Sequence, residues 1–518
     1  MSKGRIAAVL VAFTCLLALP ASASAMKFAA PTGSPITGVS PYVSTVVSAD
    51  FNNDGRDDLA SSTSTNTSGI AIRLAQSDGT WSAATSVDSS HGAYSVAAGD
   101  FNNDNRVDLV VYRTQGEGTR AFFGNGDGTF GSEVAINAPW NGSNSLGSWN
   151  ALTTGDLNND GNDDIVFPLS NGDFAVSLSN GSGGFSTANA SYVTDAPSAL
   201  SDKFSAAGIG DFNDDGHADI ALGTAPTNLS DPTKVAVFVM LGDGAGNFTQ
   251  AATHGFQISQ PEGYEGKINS LTVGSFNGDG ADDIAVATDP TGFINSPGKG
   301  TVQIFLGSSS TTLAKTLDVF QSDNRPGAVI ARDFDNDNWT DLAYLERTDP
   351  NGPPDELISI LRGNGEGSFQ ASPSTTFQVS SATVSSTDLV SGDFNNDGAW
   401  DFAVGYGNSG TIRLMRNQID PTKNRDSIDF GDVVLNSGEK QQGVVIGNAG
   451  GPTATVGQVT ITGTDASAFT LPPTTCAGQP IAAAFGSCLQ NVKFTPTDHR
   501  SYSAILHVTF NNSAEVLD

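Results

Sequence analysis

The sequence predicts an all-β chain in which a seven-bladed β-propeller is followed by a β-sandwich. One observation is an acidic loop motif that occurs seven times, with starts 50 to 64 residues apart, a spacing that suits one propeller blade. A second is the alternation of short apolar runs with Gly-rich turns, which is typical of many short strands. The third is that the motif does not recur after Arg416, although the chain continues to residue 518.

The first copy of the motif shows its chemistry. Its side-chain oxygens at positions 1, 3, 5 and 9 come from Asp50, Asn52, Asp54 and Asp58. Gly55, at position 6, permits the positive φ that lets the loop curl back on itself. Because Ca²⁺ binds six to eight hard oxygen ligands, this alternation of carboxylates and amides around a turn predicts a Ca²⁺ site.

The same four positions carry oxygen-bearing side chains in all seven copies. The later copies are Asp100, Asn102, Asp104, Asp108; Asp156, Asn158, Asp160, Asp164; Asp211, Asn213, Asp215, Asp219; Ser275, Asn277, Asp279, Asp283; Asp333, Asp335, Asp337, Asp341; and Asp393, Asn395, Asp397, Asp401. Ser275 replaces the usual Asp, so we expect up to seven structural Ca²⁺ ions, with the fifth site in doubt. Position 6 is Gly except at Asn105 and Asn338, and Asn is the other residue that tolerates a positive φ.

Each motif is predicted to join the first and second strands of a four-stranded blade. Two strands follow it, and a Gly-rich turn such as residues 123–130 then leads to the outer strand. The seventh repeat lacks this turn and outer strand after Arg416, whereas residues 27–31 resemble the missing piece. We therefore predict that the N-terminal segment supplies the outer strand of the last blade, which closes the ring without open sheet edges.

Charge and the N-terminus restrict the cellular setting. The formal net charge of −31 is concentrated in the motifs, so bound cations are expected, and nucleic acid or an anionic membrane is not an expected partner. Residues 1–25 have the basic start, apolar centre and small-residue end of a secretory signal that is cut after about Ala25. No later run is long enough to span a membrane. These features predict a secreted or cell-surface protein.

The remaining chain predicts a second domain. The propeller is expected to span residues 26–417, with a linker at 418–423 and a β-sandwich at 424–518, because apolar runs such as 443–447 and 492–496 indicate strands. Cys476 and Cys488 remain after removal of the signal, and a cysteine pair in an exported chain predicts a disulfide that closes a short loop.

The seven motifs resemble FG-GAP/VCBS repeats, whose Ca²⁺ loops decorate seven-bladed propellers of the integrin α-subunit type. The resemblance implies a carboxylate ligand from position 9 and a backbone carbonyl ligand from position 7. The position 7 residues are Arg56, Arg106, Asn162, His217, Ala281, Trp339 and Ala399. The alternative EF-hand needs Glu at position 12 between helices, whereas position 12 falls here in predicted strands. The C-terminal domain is similar to bacterial immunoglobulin-like modules of the choice-of-anchor D kind.

The sequence favours a binding protein over an enzyme. It contains no nucleophile elbow and no spaced zinc-ligand pair. We therefore expect a monomeric, non-enzymatic binding or adhesion module for a glycan or an extracellular protein. Trp140 and Trp149 are the first candidates for partner contact, followed by Trp339 and Trp400 in the acidic loops, although such rings also fill gaps between blades. Two alternatives are a propeller lectin with repeated sugar pockets and a polysaccharide lyase, which would need a basic groove.

Overall fold

The computed structural model is all-β: its described residues form 36 strands and one 3-10 turn, Ala466–Ala468. It describes residues 26–31, 34–37, 43–63, 69–113, 118–136, 152–169, 173–186, 189–191, 203–225, 235–251, 256–257, 267–289, 300–309, 314–322, 325–335, 337, 339–347, 356–370, 375–380, 386–396, 398–407, 409–418, 440–447, 454–472, 476–481, 487–495, 502–510 and 516–517. The prediction of an all-β propeller chain is confirmed.

Four antiparallel sheets follow one another in the first half of the chain. Sheet 1 contains β2 Val46–Ala49, β3 Asp58–Ser62, β4 Ile70–Arg73 and β5 Thr85–Ser86. Sheet 2 contains β6 Ala93–Gly99, β7 Asp108–Arg113, β8 Thr119–Phe122 and β9 Val134–Ile136. Sheet 3 contains β10 Thr153–Gly155, β11 Asp164–Pro168, β12 Phe174–Ser177 and β13 Asn189–Ser191. Sheet 4 contains β14 Lys203–Gly210, β15 Asp219–Ala225, β16 Ala236–Gly242, β17 Phe248–Gln250 and β18 Phe256–Gln257.

Three further sheets complete the ring. Sheet 5 contains β19 Lys267–Gly274, β20 Asp283–Asp289, β21 Gly300–Leu306 and β22 Ala314–Ser322. Sheet 6 contains β23 Arg325–Arg332, β24 Asp341–Arg347, β25 Glu356–Leu361 and β26 Thr375–Ser380. Sheet 7 contains β27 Ser386–Gly392, β28 Asp401–Tyr406, β29 Thr411–Gln418 and β1 Lys27–Ala29. The innermost strand of each sheet contacts that of the next, and β27 contacts β2, so the described sheets form a closed ring.

The N-terminal strand completes sheet 7 as the sequence predicts. β1 pairs antiparallel with β29, with Lys27 opposite Gln418 and Ala29 opposite Arg416. Met26, which directly precedes β1, is buried with Phe334 and Phe402 in the apolar cluster of sheets 6 and 7. The pairing covers the outer edge of β29, which would otherwise offer free N–H and C=O groups to another chain.

The core lies in the seams between neighbouring sheets. Middle strands such as β11 and β28 are buried along their whole length, because a sheet covers each of their faces. The residue at position 2 of a loop packs against an aromatic ring that follows the Gly-rich turn of the next sheet. The pairs are edge-to-face, with ring centroids 5.8 Å apart for Phe51–Phe130 and 5.4 Å apart for Phe276–Phe369. These rings join adjacent sheets.

The C-terminal region forms two further antiparallel sheets in the part of the chain that is described. One contains β30 Lys440–Gly447, β34 Ser487–Phe494 and β32 Phe469–Thr470. The other contains β33 Pro480–Ile481, β31 Ala454–Thr462, β35 Ile505–Phe510 and β36 Val516–Leu517. Cys476 and Cys488 are joined by a disulfide, and both contribute to the apolar cluster of this region with Ile446 and Val456.

Candidate functional site

The acidic loops lie together on one face of the propeller. Each loop joins the innermost strand of a sheet to its second strand, and since the strand order is the same in every sheet, the loops share one face. We number them by sheet, and their residues by positions 1 to 9. The loops are residues 50–58, 100–108, 156–164, 211–219, 275–283, 333–341 and 393–401.

The position 1 carboxylate organises the loop backbone. In loop 1, Asp50 Oδ1 accepts the N–H groups of Asn52 and Asp54 at 3.3 and 3.1 Å, and Oδ2 accepts that of Gly55 at 2.7 Å. Loops 2 and 3 repeat this pattern around Asp100 and Asp156. The carboxylate therefore holds its own loop in a tight turn, as Asp side chains commonly do.

Two positions have a left-handed backbone in the six loops where the structure describes them. Position 6 has the predicted positive φ, as at Gly55 with 83°, and Asn105 adopts 59° there as expected. Asn338 lies outside the described residues. Position 4 is also left-handed, as at Asn53 with φ 57° and Asp214 with φ 55°. Sequence reasoning missed position 4, although the Asn, Asp or Gly found there in all seven loops of the sequence was a visible signal.

The position 9 Asp fastens each loop to the end of the third strand of its sheet or to the residues that closely follow it. In loop 2, Asp108 Oδ2 accepts the N–H of Phe101 at 3.0 Å, and Oδ1 accepts the N–H of Gly124 at 2.7 Å. The position 9 side chain is fully buried in all seven loops. The same Oδ1 bond is formed in the other loops to Ala75, Ser179, Gly242, Gly307, Gly363 and Asn417. This structural role was not recognised from the sequence.

Burial makes the position 9 carboxylates costly to ionise. It raises the pKa of Asp58, Asp108, Asp164 and Asp219 to about 7, against the lowering effect of the two N–H donors. It raises the pKa of Asp341 further, to about 8, with the nearby Asp335 carboxylate as a second cause. A cation bound beside these groups would favour their charged form.

Loop 6 brings three carboxylates to one point. Asp333, Asp335 and Asp341 each offer an oxygen within 4.8 Å of the other two. Oxygens this close can share one Ca²⁺, because Ca–O distances are about 2.3–2.6 Å. Asp335 Oδ1 is buried without a hydrogen-bond partner, and Oδ2 lies 3.1 Å from Nε of Arg362. The donor set, the spacing and the unpartnered oxygen fit a Ca²⁺ ion.

Loop 5 differs from the others at position 1, whereas loop 7 keeps the contact between positions 1 and 6. Ser275, exposed at position 1 of loop 5, has no carboxylate to accept the N–H groups of positions 5 and 6. Gly280 at position 6 accordingly has φ 105°, whereas the position 6 glycines of loops 1, 3, 4 and 7 lie between 80° and 85°. In loop 7, Asp393 Oδ2 accepts the N–H of Gly398 at 2.8 Å, and the predicted ligand Asp397 lies outside the described residues.

Three loops carry an additional Asp at position 8 that clasps the preceding loop. In loop 3, Asp163 Oδ2 accepts the N–H of Asp100 at 2.8 Å, while the Asp163 N–H donates to the Asp100 carbonyl at 2.9 Å. Asp57 forms the same pair with Asp393, and Asp282 with Asp211. The clasps join sheets 2 and 3, 7 and 1, and 4 and 5. The Asp-Asp doublets at positions 8 and 9 were visible in the sequence but were not interpreted.

Each clasp needs space beside the last residue of the innermost strand in the preceding sheet, and a small residue there provides it. It is Gly99 opposite Asp163, where a Cβ would lie 2.7 Å from the Asp163 Oδ2 atom. Between sheets 6 and 7 the pair is different, because the guanidinium carbon of Arg332 lies 5.0 Å from the ring centroid of Trp400. Trp400, a candidate partner contact, is thus half-buried against an Arg side chain.

The position 7 side chains, unlike their backbone, differ from loop to loop. Arg56 forms an ion pair with Asp54, and His217 Nδ1 lies 2.9 Å from Asn159 Nδ2 of the preceding loop. Asn162, Ala281 and Ala399 are buried, Arg106 is exposed, and Trp339 is 45% exposed. The predicted exposure of Trp339 is observed. The signal peptide, Trp140 and Trp149 lie outside the described residues.

The fold and site define a class: a β-propeller with an acidic loop in each repeat. A family model described as FG-GAP-like repeat matches residues 50–111, 156–222, 211–286 and 333–404, which together span just over half of the chain. The chain belongs to this family. No curated protein matches the sequence.

Several solved structures are similar to this chain at low sequence identity. The BBS1N chain in a complex with ARL6DN is 11% identical, with a TM-score of 0.45, and the match covers 74% of this chain and 94% of that chain. An Agrocybe aegerita lectin that recognises non-reducing terminal N-acetylglucosamine is 15% identical, with a TM-score of 0.43 and coverage of 73% and 86%. The Dos1 propeller is 10% identical, with a TM-score of 0.40 and coverage of 74% and 93%. Nothing about function follows from these similarities.

Among the described residues, no helix is long and apolar enough to cross a membrane.

Proposed function

We propose that the protein is an exported, non-enzymatic binding module whose propeller is stabilised by structural Ca²⁺ and presents its loop face to a glycan or an extracellular protein. The observation that carries the proposal is the carboxylate cluster of loop 6, in which Asp335 Oδ1 is buried without a hydrogen-bond partner. Such an oxygen is expensive to bury unless a cation or a donor satisfies it.

The loop carboxylates hold the loop backbone in place, which supports a structural role for a bound metal ion. Positions 1 and 9 already accept backbone N–H groups, as in Asp50 and Asp108, and an ionised carboxylate has further lone pairs with which to bind a cation. A Ca²⁺ ion in each loop would neutralise groups that face one another and would make the folded ring more stable. These contacts favour a stapling role over a catalytic one.

Three further parts of the proposal concern the whole chain. The N-terminal 25 residues direct export and are removed. Residues 424–518 form an immunoglobulin-like module that acts as a spacer or docking unit, and the two antiparallel sheets described there support this assignment. The repeat architecture is of the integrin α-subunit type, with the acidic loops as its Ca²⁺ sites.

The variation at position 7 argues against repeated equal sugar pockets at the loop face. His217 and Trp339 occupy equivalent places but offer different chemistry to a partner. A lyase would need a basic groove, whereas carboxylates dominate the described loop face. One selective binding site therefore fits the loop face better than either alternative.

Calcium removal tests the metal part of the proposal. EDTA should lower the melting temperature of the full chain substantially, and Ca²⁺ but not Mg²⁺ should restore it, since a ligand that binds only the native state stabilises it by mass action. Asp335→Asn, which weakens loop 6, should reduce the Ca²⁺-induced shift. Identical melting curves with Ca²⁺ and with EDTA would contradict the metal assignment.

A binding screen tests the partner part. The full chain should bind components of a glycan array, or purified extracellular matrix proteins, in Ca²⁺ but not in EDTA. Turnover of a polysaccharide, measured by the release of reducing or unsaturated ends, would contradict the non-enzymatic assignment.

A further inference from the structure

Trp339 is unusual among the aromatic residues of the propeller. It is 45% exposed, and no other large apolar side chain in the described part of the ring is as open to solvent. Trp81, by contrast, packs edge-to-face on Phe394 with centroids 5.5 Å apart, and Trp400 is covered by Arg332. Those two rings fill seams, whereas Trp339 leaves apolar surface in water at a measurable cost.

One face of the Trp339 ring rests on the Gly-rich turn of its own sheet. A Cβ at Gly365 would lie 2.1 Å from Cε3, 2.3 Å from Cζ3 and 2.4 Å from Cδ2 of the ring. Because these three distances are nearly equal, that Cβ would stand over the ring face and not at its edge. Because residue 365 is glycine, one face of the Trp339 indole can pack flat against the turn backbone. The other face of the indole is directed away from the turn.

The surface under the indole continues onto the preceding loop and is bordered by polar groups. A Cβ at Gly278, in loop 5, would lie 3.9 Å from Cζ3 of Trp339. Asp337 Oδ1 accepts the Trp339 N–H at 2.8 Å and so fixes the start of the side chain. Asn277 borders the same turn, because a Cβ at Gly367 would lie 3.3 Å from its Cβ. A flat apolar ring beside amide and carboxylate groups suits a ligand with both a C–H face and hydroxyl groups.

The equivalent places in other sheets lack such a ring. In sheet 2, Cδ of Arg106 would lie 3.2 Å from a Cβ at Gly126, and in sheet 4, Nδ1 of His217 would lie 2.3 Å from one at Gly244. Position 7 thus covers the Gly-rich turn in each of these sheets. The described loop face presents an exposed indole at this place only in loop 6.

We propose that Trp339 is a stacking platform for a neutral hexopyranose ring of a glycan, with the seam between sheets 5 and 6 as its binding site. This inference rests on the proposed function and selects a glycan over a protein as the partner. The formal charge of −31 and the surrounding carboxylates disfavour uronic acids and sulfated sugars. The indole would contact the C–H face of the sugar.

The test uses the full chain in Ca²⁺ with four neutral tetrasaccharides: cellotetraose, chitotetraose, mannotetraose and galactotetraose. Saturation-transfer NMR should show contact with at least one, strongest at the ring-face C–H protons. Trp339→Ala should weaken the affinity about tenfold or more, in line with the loss of a buried aromatic anchor, whereas Trp339→Phe should retain most of it. Leu489→Ala removes another exposed apolar side chain, which is 55% exposed in the C-terminal region, and should leave the affinity unchanged.

Gly365→Ala gives a second route to the same site, because its Cβ would displace the indole without removing it. It should weaken binding as Trp339→Ala does, while the melting temperatures in Ca²⁺ report that each variant folds. No transfer with any tetrasaccharide would overturn the inference, as would binding that survives Trp339→Ala. Neither result affects the proposed Ca²⁺-stabilised module, because the EDTA melting experiment decides that independently.

Discussion

Replacing Asp108 with alanine should destabilise sheet 2 even when no Ca²⁺ is bound. The side chain is fully buried, and its two oxygens accept the N–H groups of Phe101 at 3.0 Å and Gly124 at 2.7 Å. The substitution removes both acceptors at once. Two backbone N–H groups from different parts of the sheet are then left in the protein interior without a partner.

The expected size of the effect follows from these two bonds. A buried polar group without a partner costs about 1–3 kcal/mol, so two of them should cost about 2–6 kcal/mol. The loss should be concentrated where the loop meets the third strand. The exposed Asp127 accepts the N–H of Thr129 at 3.0 Å, but water can replace that acceptor. Asp127→Ala should therefore cost less than about 0.5 kcal/mol.

Hydrogen exchange followed by mass spectrometry can measure this locally. In EDTA, peptides that contain Phe101 and Gly124 should lose protection in Asp108→Ala and keep it in Asp127→Ala. The two variants are then compared in Ca²⁺. If Asp108→Ala leaves hydrogen exchange unchanged in EDTA and alters it only in Ca²⁺, the carboxylate acts only as a metal ligand. Its two hydrogen bonds to backbone N–H groups then do not stabilise the sheet, and the prediction is wrong.

Two further predictions concern the contacts between sheets. Gly99→Ala, whose Cβ would lie 2.7 Å from Oδ2 of Asp163, should lower the free energy of unfolding by about 1–3 kcal/mol. Gly131→Ala, whose Cβ would lie 3.6 Å from the nearest heavy atom, should not lower the melting temperature. Equal shifts in melting temperature for the two variants would refute the contact between Asp163 and the preceding loop. Asp388 accepts the Val46 N–H at 3.0 Å, and burial raises the pKa of its carboxyl group to about 7. Its neutral form therefore stabilises the fold below pH 4, and this contribution to stability is lost as the pH rises through 7. Asp388→Asn should therefore reduce the fall in melting temperature between pH 5 and pH 8 in Ca²⁺ buffer, and parallel pH profiles would contradict this reasoning.

Local patterns in the sequence were sufficient to predict the repeat. The spacing of the acidic loops marks the sheets, and the positive φ of position 6 follows from Gly or Asn at that place. The role of residues 27–29 as the outer strand of sheet 7 could also be predicted, because the seventh repeat lacked that strand. Each of these inferences needs only the residues within a repeat, the distance between repeats, or the absence of a part of one.

Contacts between repeats could not be predicted in the same way. The clasp of Asp163 depends on Asp100 and on the space left by Gly99, more than 60 residues earlier in the chain. The contact of Trp339 in loop 6 with Gly278 in loop 5, where a Cβ would lie 3.9 Å from Cζ3, likewise joins two repeats. These pairings appear only when neighbouring sheets are placed side by side, so a pattern read along a single repeat does not contain them.

The pairing of β1 with β29 has a consequence for how the ring assembles. Sheets 1 to 6 are each built from one continuous stretch of chain, so they can form in the order of synthesis. Sheet 7 joins Lys27 to Gln418 and cannot be completed until nearly the whole propeller has emerged. The entropic cost of closing so long a loop grows only slowly with its length, and the other sheets shorten the effective distance. The ring is therefore completed last, although the strand that completes it is synthesised first.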